Sequence, residues 1–102
     1  MVVNLKANEL VLKAGNTDHI LGDKKIPGKL IITNQRIYFK SLELNYEDSN
    51  LELCPENILE VIYFNTRKIF PNGLKVVTKA GENLKFILKK RNDFGKLINQ
   101  MY

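Results

Sequence analysis

Between Gly28 and Lys40 the chain alternates about a two-residue hinge, and this stretch restricts the fold more than any other. With Asn34-Gln35 at the tip of a hairpin, Thr33 falls opposite Arg36, Ile32 opposite Ile37 and Ile31 opposite Tyr38. Leu30 then meets Phe39, and Lys29 meets Lys40. Leu30, Ile32, Ile37 and Phe39 share a wholly apolar face, while Lys29, Ile31, Thr33, Arg36, Tyr38 and Lys40 share the other. A helix would scatter these residues around its circumference; a half-buried antiparallel pair sorts them. The expectation is a core-forming face backed by an outward, basic one.

Similar patterns extend the reading in both directions. Asn8–Lys13 alternates as the start of a strand, with Leu10 and Leu12 on one face. Gly15–Gly28, with three glycines, a proline and several charges, reads as a loop. Turn chemistry at Glu47-Asp48-Ser49-Asn50 precedes renewed alternation at Leu51-Glu52-Leu53. Asn57–Asn65 is rich in β-branched and aromatic residues and reads as a strand, with Pro55 positioned to start a helical turn before it. Pro71-Asn72-Gly73 is a turn signal. Leu74–Lys79 and Leu84–Lys89 form a second hairpin, with Leu74, Val76, Thr78, Leu84, Phe86 and Leu88 inward. Phe94, Leu97, Ile98 and Met101 change the period to that of a helix, with Asn92 or Asp93 as its N-cap.

A chain of 102 residues with no linker or repeat predicts one domain spanning 1–102. The lone Cys54 forms no internal disulfide, and no secretory or membrane-spanning run is visible. A cytoplasmic, soluble protein follows, with peripheral residence at the inner membrane surface as a variant. The net charge of +5 is unevenly spread. Residues 41–66 hold six acids (Glu43, Glu47, Asp48, Glu52, Glu56, Glu60) and no Lys or Arg, whereas both flanks are basic. Such a split suits an anionic partner surface or head-to-tail self-association.

Gly28-Lys29-Leu30 with Thr33-Asn34-Gln35-Arg36-Ile37-Tyr38-Phe39 is similar to the "G-x-L-x-x-T-N-x-R-hydrophobic-x-F" signature of the GRAM domains. These are a branch of the pleckstrin-homology architecture. The resemblance spans roughly residues 8–102 and takes in Pro55 before Ile58–Tyr63, the Leu74–Thr78 and Leu84–Leu88 strands, and the terminal helix. It implies a mainly β fold, a bent sandwich or partly open barrel of about seven antiparallel strands capped by one C-terminal helix. It also implies a non-catalytic module for lipids or protein segments. Lipid-binding pleckstrin domains carry a Lys, then (Lys/Arg)-x-Arg, over their first two strands. Lys13 and Lys29 match the first two places, but Ile31 takes the place of the arginine.

Two basic groups are candidate contacts. Lys24, Lys25 and Lys29, joined across the hairpin by Arg36 and Lys40, form the first, where an anion would relieve the Lys29–Lys40 repulsion. Lys75, Lys79, Lys85 and Lys89 form the second, framing Val77 and Ile87, with Lys90 and Arg91 adjoining. A row of lysines over aliphatics suits an anionic membrane or a phosphate backbone, or else a solvated strand face. Nucleic acid is not expected, because Tyr38 is the one aromatic placed on a basic face and stacking platforms need several. No catalytic residue, metal or cofactor is expected. His19 lies in the loop region, Cys54 reads as a small buried residue, and Asp48-x-Asn50-x-Glu52 lacks the glycine of a calcium loop. The predicted function is a non-enzymatic binding module that docks on a protein, another copy of itself included, or on an anionic surface. The alternative is a peripheral membrane-binding domain for anionic, phosphoinositide-like lipid.

Overall fold

The computed structural model describes residues 5–42, 50–66 and 69–102. Among these residues seven strands build one antiparallel sheet. They are β1 (Val11–Leu21), β2 (Lys24–Thr33), β3 (Ile37–Ser41), β4 (Leu51–Leu53), β5 (Ile58–Thr66), β6 (Phe70–Thr78) and β7 (Asn83–Ile87). A 3₁₀ turn at Pro55–Asn57 leads into β5, and one helix, α1 (Arg91–Asn99), follows β7. The sheet order is β4-β3-β2-β1-β7-β6-β5. Each half is a meander of sequence neighbours, and β1 joins the two halves.

The hairpin register follows from its sequence pattern. Lys29 pairs with Lys40, Leu30 with Phe39, Ile31 with Tyr38 and Ile32 with Ile37, and the Thr33 amide donates to the Arg36 carbonyl at 2.9 Å. The sheet curls so that Leu30, Ile32, Ile37 and Phe39 meet Leu74, Val76, Phe86 and Leu88 from the second hairpin, as their alternation requires. Ile26, Ile58 and the helix residues Phe94 and Ile98 complete this core. Full burial of a side chain of this size stabilises by about 1.5–3 kcal/mol.

Four local expectations are overturned. Gly15–Gly28 is not a loop: β1 and β2 run through it as a long hairpin turning at Gly22-Asp23. Its glycines serve packing as well as turning, since a Cβ on Gly28 would lie 2.7 Å from the Phe39 ring and overlap the Lys40 carbonyl. The first strand begins at Val11, not Asn8, and both Leu10 and Leu12 are exposed. Leu12 sits in a bulge between the Val11–Thr33 and Lys13–Ile32 pairs. Pro71-Asn72-Gly73 lies inside β6 and not at a turn. The β5 register slips between Phe64 and Thr66, so the missing Pro71 N–H falls at an irregularity in the ladder.

The helix also begins earlier than Asn92 or Asp93. Lys90 precedes its first turn, and its carbonyl accepts from the Asp93 and Phe94 amides. Arg91 pins that turn to the sheet by donating from Nη1 to the Phe64 carbonyl at 2.6 Å. Gly95 is a poor helix former, by about 1 kcal/mol against Ala. It is required sterically, because a Cβ there would overlap the hydroxyl end of Tyr63. The turn expected at Glu47–Asn50 lies largely outside the described residues.

Candidate functional site

The first basic group divides on folding. Alternation places Arg36 outward with the lysines, yet it is 6% exposed. Its Nε donates to Glu9 Oε2 and its Nη2 to Glu9 Oε1, both at 2.8 Å, and its Nη1 pairs with Glu52. This bidentate fork is the geometry that guanidinium and carboxylate share best. Thr33 donates from Oγ1 to Glu9 Oε2 at 2.6 Å and accepts from the Gln35 and Arg36 amides. Asn34 accepts from the Leu10 amide and donates to the Asn8 carbonyl, while Gln35 donates to the Ala7 carbonyl. The segment before β1 is thereby clasped over the hairpin tip. Chiefly the Arg36 hydrogen bonds hold the Glu9 carboxyl down to about 2, against the opposing effect of burial, with Thr33 and the Lys6 amide assisting. The same partnership raises Arg36 above its ordinary value. Beside the clasp, Ile31 and Tyr38 are also buried, and the Arg36 guanidinium lies 4.4 Å from the Tyr38 ring centroid. That part of the expected outward surface is therefore a second, smaller interior.

The remaining lysines come together instead. Paired residues of an antiparallel sheet project to one side. Ile62 pairs with Lys75, Lys75 with Lys85, Lys85 with Ile20, and Ile20 with Lys25. One cross-strand row on the outer face therefore reads Ile62–Lys75–Lys85–Ile20–Lys25, uniting members of both predicted groups. Lys29 lies two positions beyond the Pro27 side of β2 and Lys40 beside it on β3, so both extend the same outer face. At a strand spacing of about 4.8 Å, Lys25 and Lys75 stand roughly 14 Å apart. Val77 and Ile87 supply half-buried aliphatic surface beside the row, with Asp18 paired to Ile87 and Glu60 to Val77. Lys24 pairs with Leu21 on the opposite side of the hairpin end and is not part of the row. Lys79 and Lys89 stand just past the ends of β6 and β7. Of the acidic segment, Glu43, Glu47 and Asp48 lie outside the described residues, Glu52 is engaged by Arg36, and Glu56 and Glu60 are exposed.

A family comparison decides what kind of domain presents this face: residues 3–102 match the GRAM domain. The chain belongs to the GRAM domain family. Its fold resembles the crystal structure of the C-terminal domain of an unknown protein from Leishmania infantum. That match has 22% identity and a TM-score of 0.77, covering 93% of this chain and 86% of that one. It also resembles the Vps36 N-terminal PH domain, at 16% identity and a TM-score of 0.68, covering 95% and 84% of the two chains. No curated protein sequence matches it. The expected architecture of seven antiparallel strands and a C-terminal helix is thus shown. GRAM and PH-like domains are generally binding modules. In this GRAM domain the Thr33-Asn34-Gln35-Arg36 stretch acts as a structural clasp.

His19, expected in a loop, lies in β1 with its ring buried in the core. It stacks on Phe86 with centroids 4.9 Å apart and meets Phe39 at 5.1 Å, while Nδ1 lies 3.0 Å from the Lys85 carbonyl oxygen. That contact places a proton on Nδ1. Desolvation pushes the ring below its ordinary value, with the Lys85 carbonyl acting the other way. The imidazole is a core group tying β1 to β7. Cys54, expected buried, is half-buried between β4 and the 3₁₀ turn. Among the described residues no three His, Cys, Asp or Glu side chains gather to hold a metal ion, and no helix is long and apolar enough to cross a membrane. Sequence reasoning missed Glu9, whose side-chain partners Thr33 and Arg36 lie more than twenty residues away and share no spacing signal with it.

Proposed function

We propose that this GRAM domain is a non-enzymatic module that docks on an anionic membrane surface through Lys25, Lys29, Lys40, Lys75 and Lys85. The cross-strand row carries the reading: two lysine groups distant in sequence share one outer face, with Ile20 and Ile62 set between and beside the charges. Lysine near an anionic leaflet is worth on the order of 1 kcal/mol. Five together supply roughly 5 kcal/mol, enough for reversible attachment and strongly weakened by salt. Lysine stems can lie along the aliphatic surface while their ammonium groups meet lipid phosphates. Arg36 takes no part, since its guanidinium is engaged by Glu9 and Glu52.

Sedimentation with phosphatidylserine-containing and neutral vesicles tests this. The wild type should bind the anionic vesicles, and less so as salt rises. Lys75→Glu/Lys85→Glu should lose most of that binding and Lys29→Glu/Lys40→Glu a smaller part. Equal binding of all three proteins, or none by the wild type, would refute the assignment.

A further inference from the structure

The two halves of the sheet join through a short seam. Among the described residues β1 pairs with β7 at Asp18, His19 and Ile20 alone. Ahead of the seam β7 turns away: the Leu88 amide donates to the Asn72 carbonyl of β6 at 2.9 Å, and Thr17 Oγ1 donates to the Ile87 carbonyl. A groove of about 720 Å³ lies over this gap, walled by β1 with Pro27 and Gly28 of β2 on one side and by Leu88, Lys89, Lys90 and Phe94 on the other.

The backbone of β1 is half-used along this groove. The Pro27 carbonyl accepts from Leu42 on the β3 side, so the even-numbered residues of β2 bond to β1. Through the register these lie opposite Lys13, Gly15 and Thr17. Ala14 and Asn16 therefore aim their N–H and C=O groups into the groove, at the spacing of a strand ladder. Lys13 stands at the same place, its Nζ 5.3 Å from the Phe94 ring centroid. Among the described residues that line the groove, Lys13, Lys89 and Lys90 oppose a single carboxylate, Asp18.

We propose that this groove accepts an extended acidic peptide of a partner protein, which adds as a strand to the β1 edge at Ala14 and Asn16. Main-chain hydrogen bonds supply affinity in this mode and side-chain pockets supply specificity. An apolar residue of the peptide would rest on Leu88 and Phe94, with acidic residues alongside meeting Lys13, Lys89 and Lys90. Lys75 and Lys85 of the outer row do not line the groove, whereas Lys29, paired with Asn16, stands at its margin.

The probe is a phage-displayed library of random linear peptides, selected on the intact chain, followed by synthesis of the enriched sequences. Enrichment of alternating acidic and apolar residues is expected. Added peptide should slow amide hydrogen exchange at Ala14 and Asn16. Lys89→Glu/Lys90→Glu, both exposed positions, should weaken the peptide about tenfold or more, while Lys79→Glu, an exposed charge reversal outside the groove lining, leaves it unchanged. Asn16→Pro, checked for folding by circular dichroism, should abolish binding. The proposal fails if no consensus emerges, if the Ala14 and Asn16 amides stay unprotected, or if charge reversal has no effect. Protection of those amides by anionic vesicles in place of peptide would make the groove a lipid headgroup site and would also overturn it.

Discussion

Two regions of the outer sheet face obey one alternation and end in opposite states. Over β2 and β3, Ile31, Thr33, Arg36 and Tyr38 are buried; over β6 and β7, Lys85 stands exposed and Lys75 half-exposed. The difference is a few residues of chain. Lys6–Leu10 folds back across the hairpin tip and brings Glu9 to Arg36, whereas no described segment lies across the lysine row in that way. A cation on a strand face becomes structural when a carboxylate with the right fork geometry is delivered to it. Lysine, a flexible point charge, suits the open region, and arginine the closed one.

The sharpest break of this comparison is Arg36→Ala. It strands the Glu9 carboxylate, which has no side-chain exposure, and should lower the melting temperature further than any of the substitutions that follow. Vesicle binding per folded molecule should stay as it was. A thermal melt matching the wild type would show that the clasp contributes nothing.

The closed region should also reveal itself by pH. Glu9 sits at about 2 when folded against an ordinary 4.5, so its stabilisation is complete above pH 4.5 and is lost as pH falls from there towards 2. Glu9→Gln should flatten urea-derived stability across that window. Beneath the open region His19 titrates in a separate window. Its folded value lies below the ordinary 6.5, so its contribution is full above pH 6.5 and declines below it, with a slope of at most ~1.4 kcal/mol per pH unit. A His19→Phe variant that retained the slope between pH 6.5 and 5 would argue against this source.

The smallest effect belongs to the lysine row itself. Lys75 and Lys85 are directly opposed like charges, so Lys75→Gln should stabilise by about 0.2–1 kcal/mol while weakening attachment to vesicles. Unchanged attachment would remove Lys75 from the docking face.

How far these regions are legible in the sequence varies with the range of the interactions. All the pairs around Asn34-Gln35 can be read, because turn and apolar faces lie within a dozen residues. The inward set of the second hairpin is legible for the same reason. The β1–β2 hairpin is not: its inward positions on β1 are Lys13, Gly15, Thr17 and His19, which carry no aliphatic stripe. They are filled by Phe94, Phe39 and Phe86 from elsewhere. The two lysine groups can be named, but their merger depends on β1 lying beside β7, a pairing between distant parts of the chain. Arg36 is misread because its cover lies outside any local window.

The three-rung seam between β1 and β7 has a kinetic consequence. Every other strand pair in the sheet joins sequence neighbours, and such local closures form quickly. The seam instead joins positions such as Thr17 and Ile87, 70 residues apart, so the entropy of closing the chain concentrates in that one event. The rate at which this domain folds should therefore be governed by its narrowest junction, and the His19 ring, tucked between Phe39 and Phe86, sits at the point where the two halves must meet.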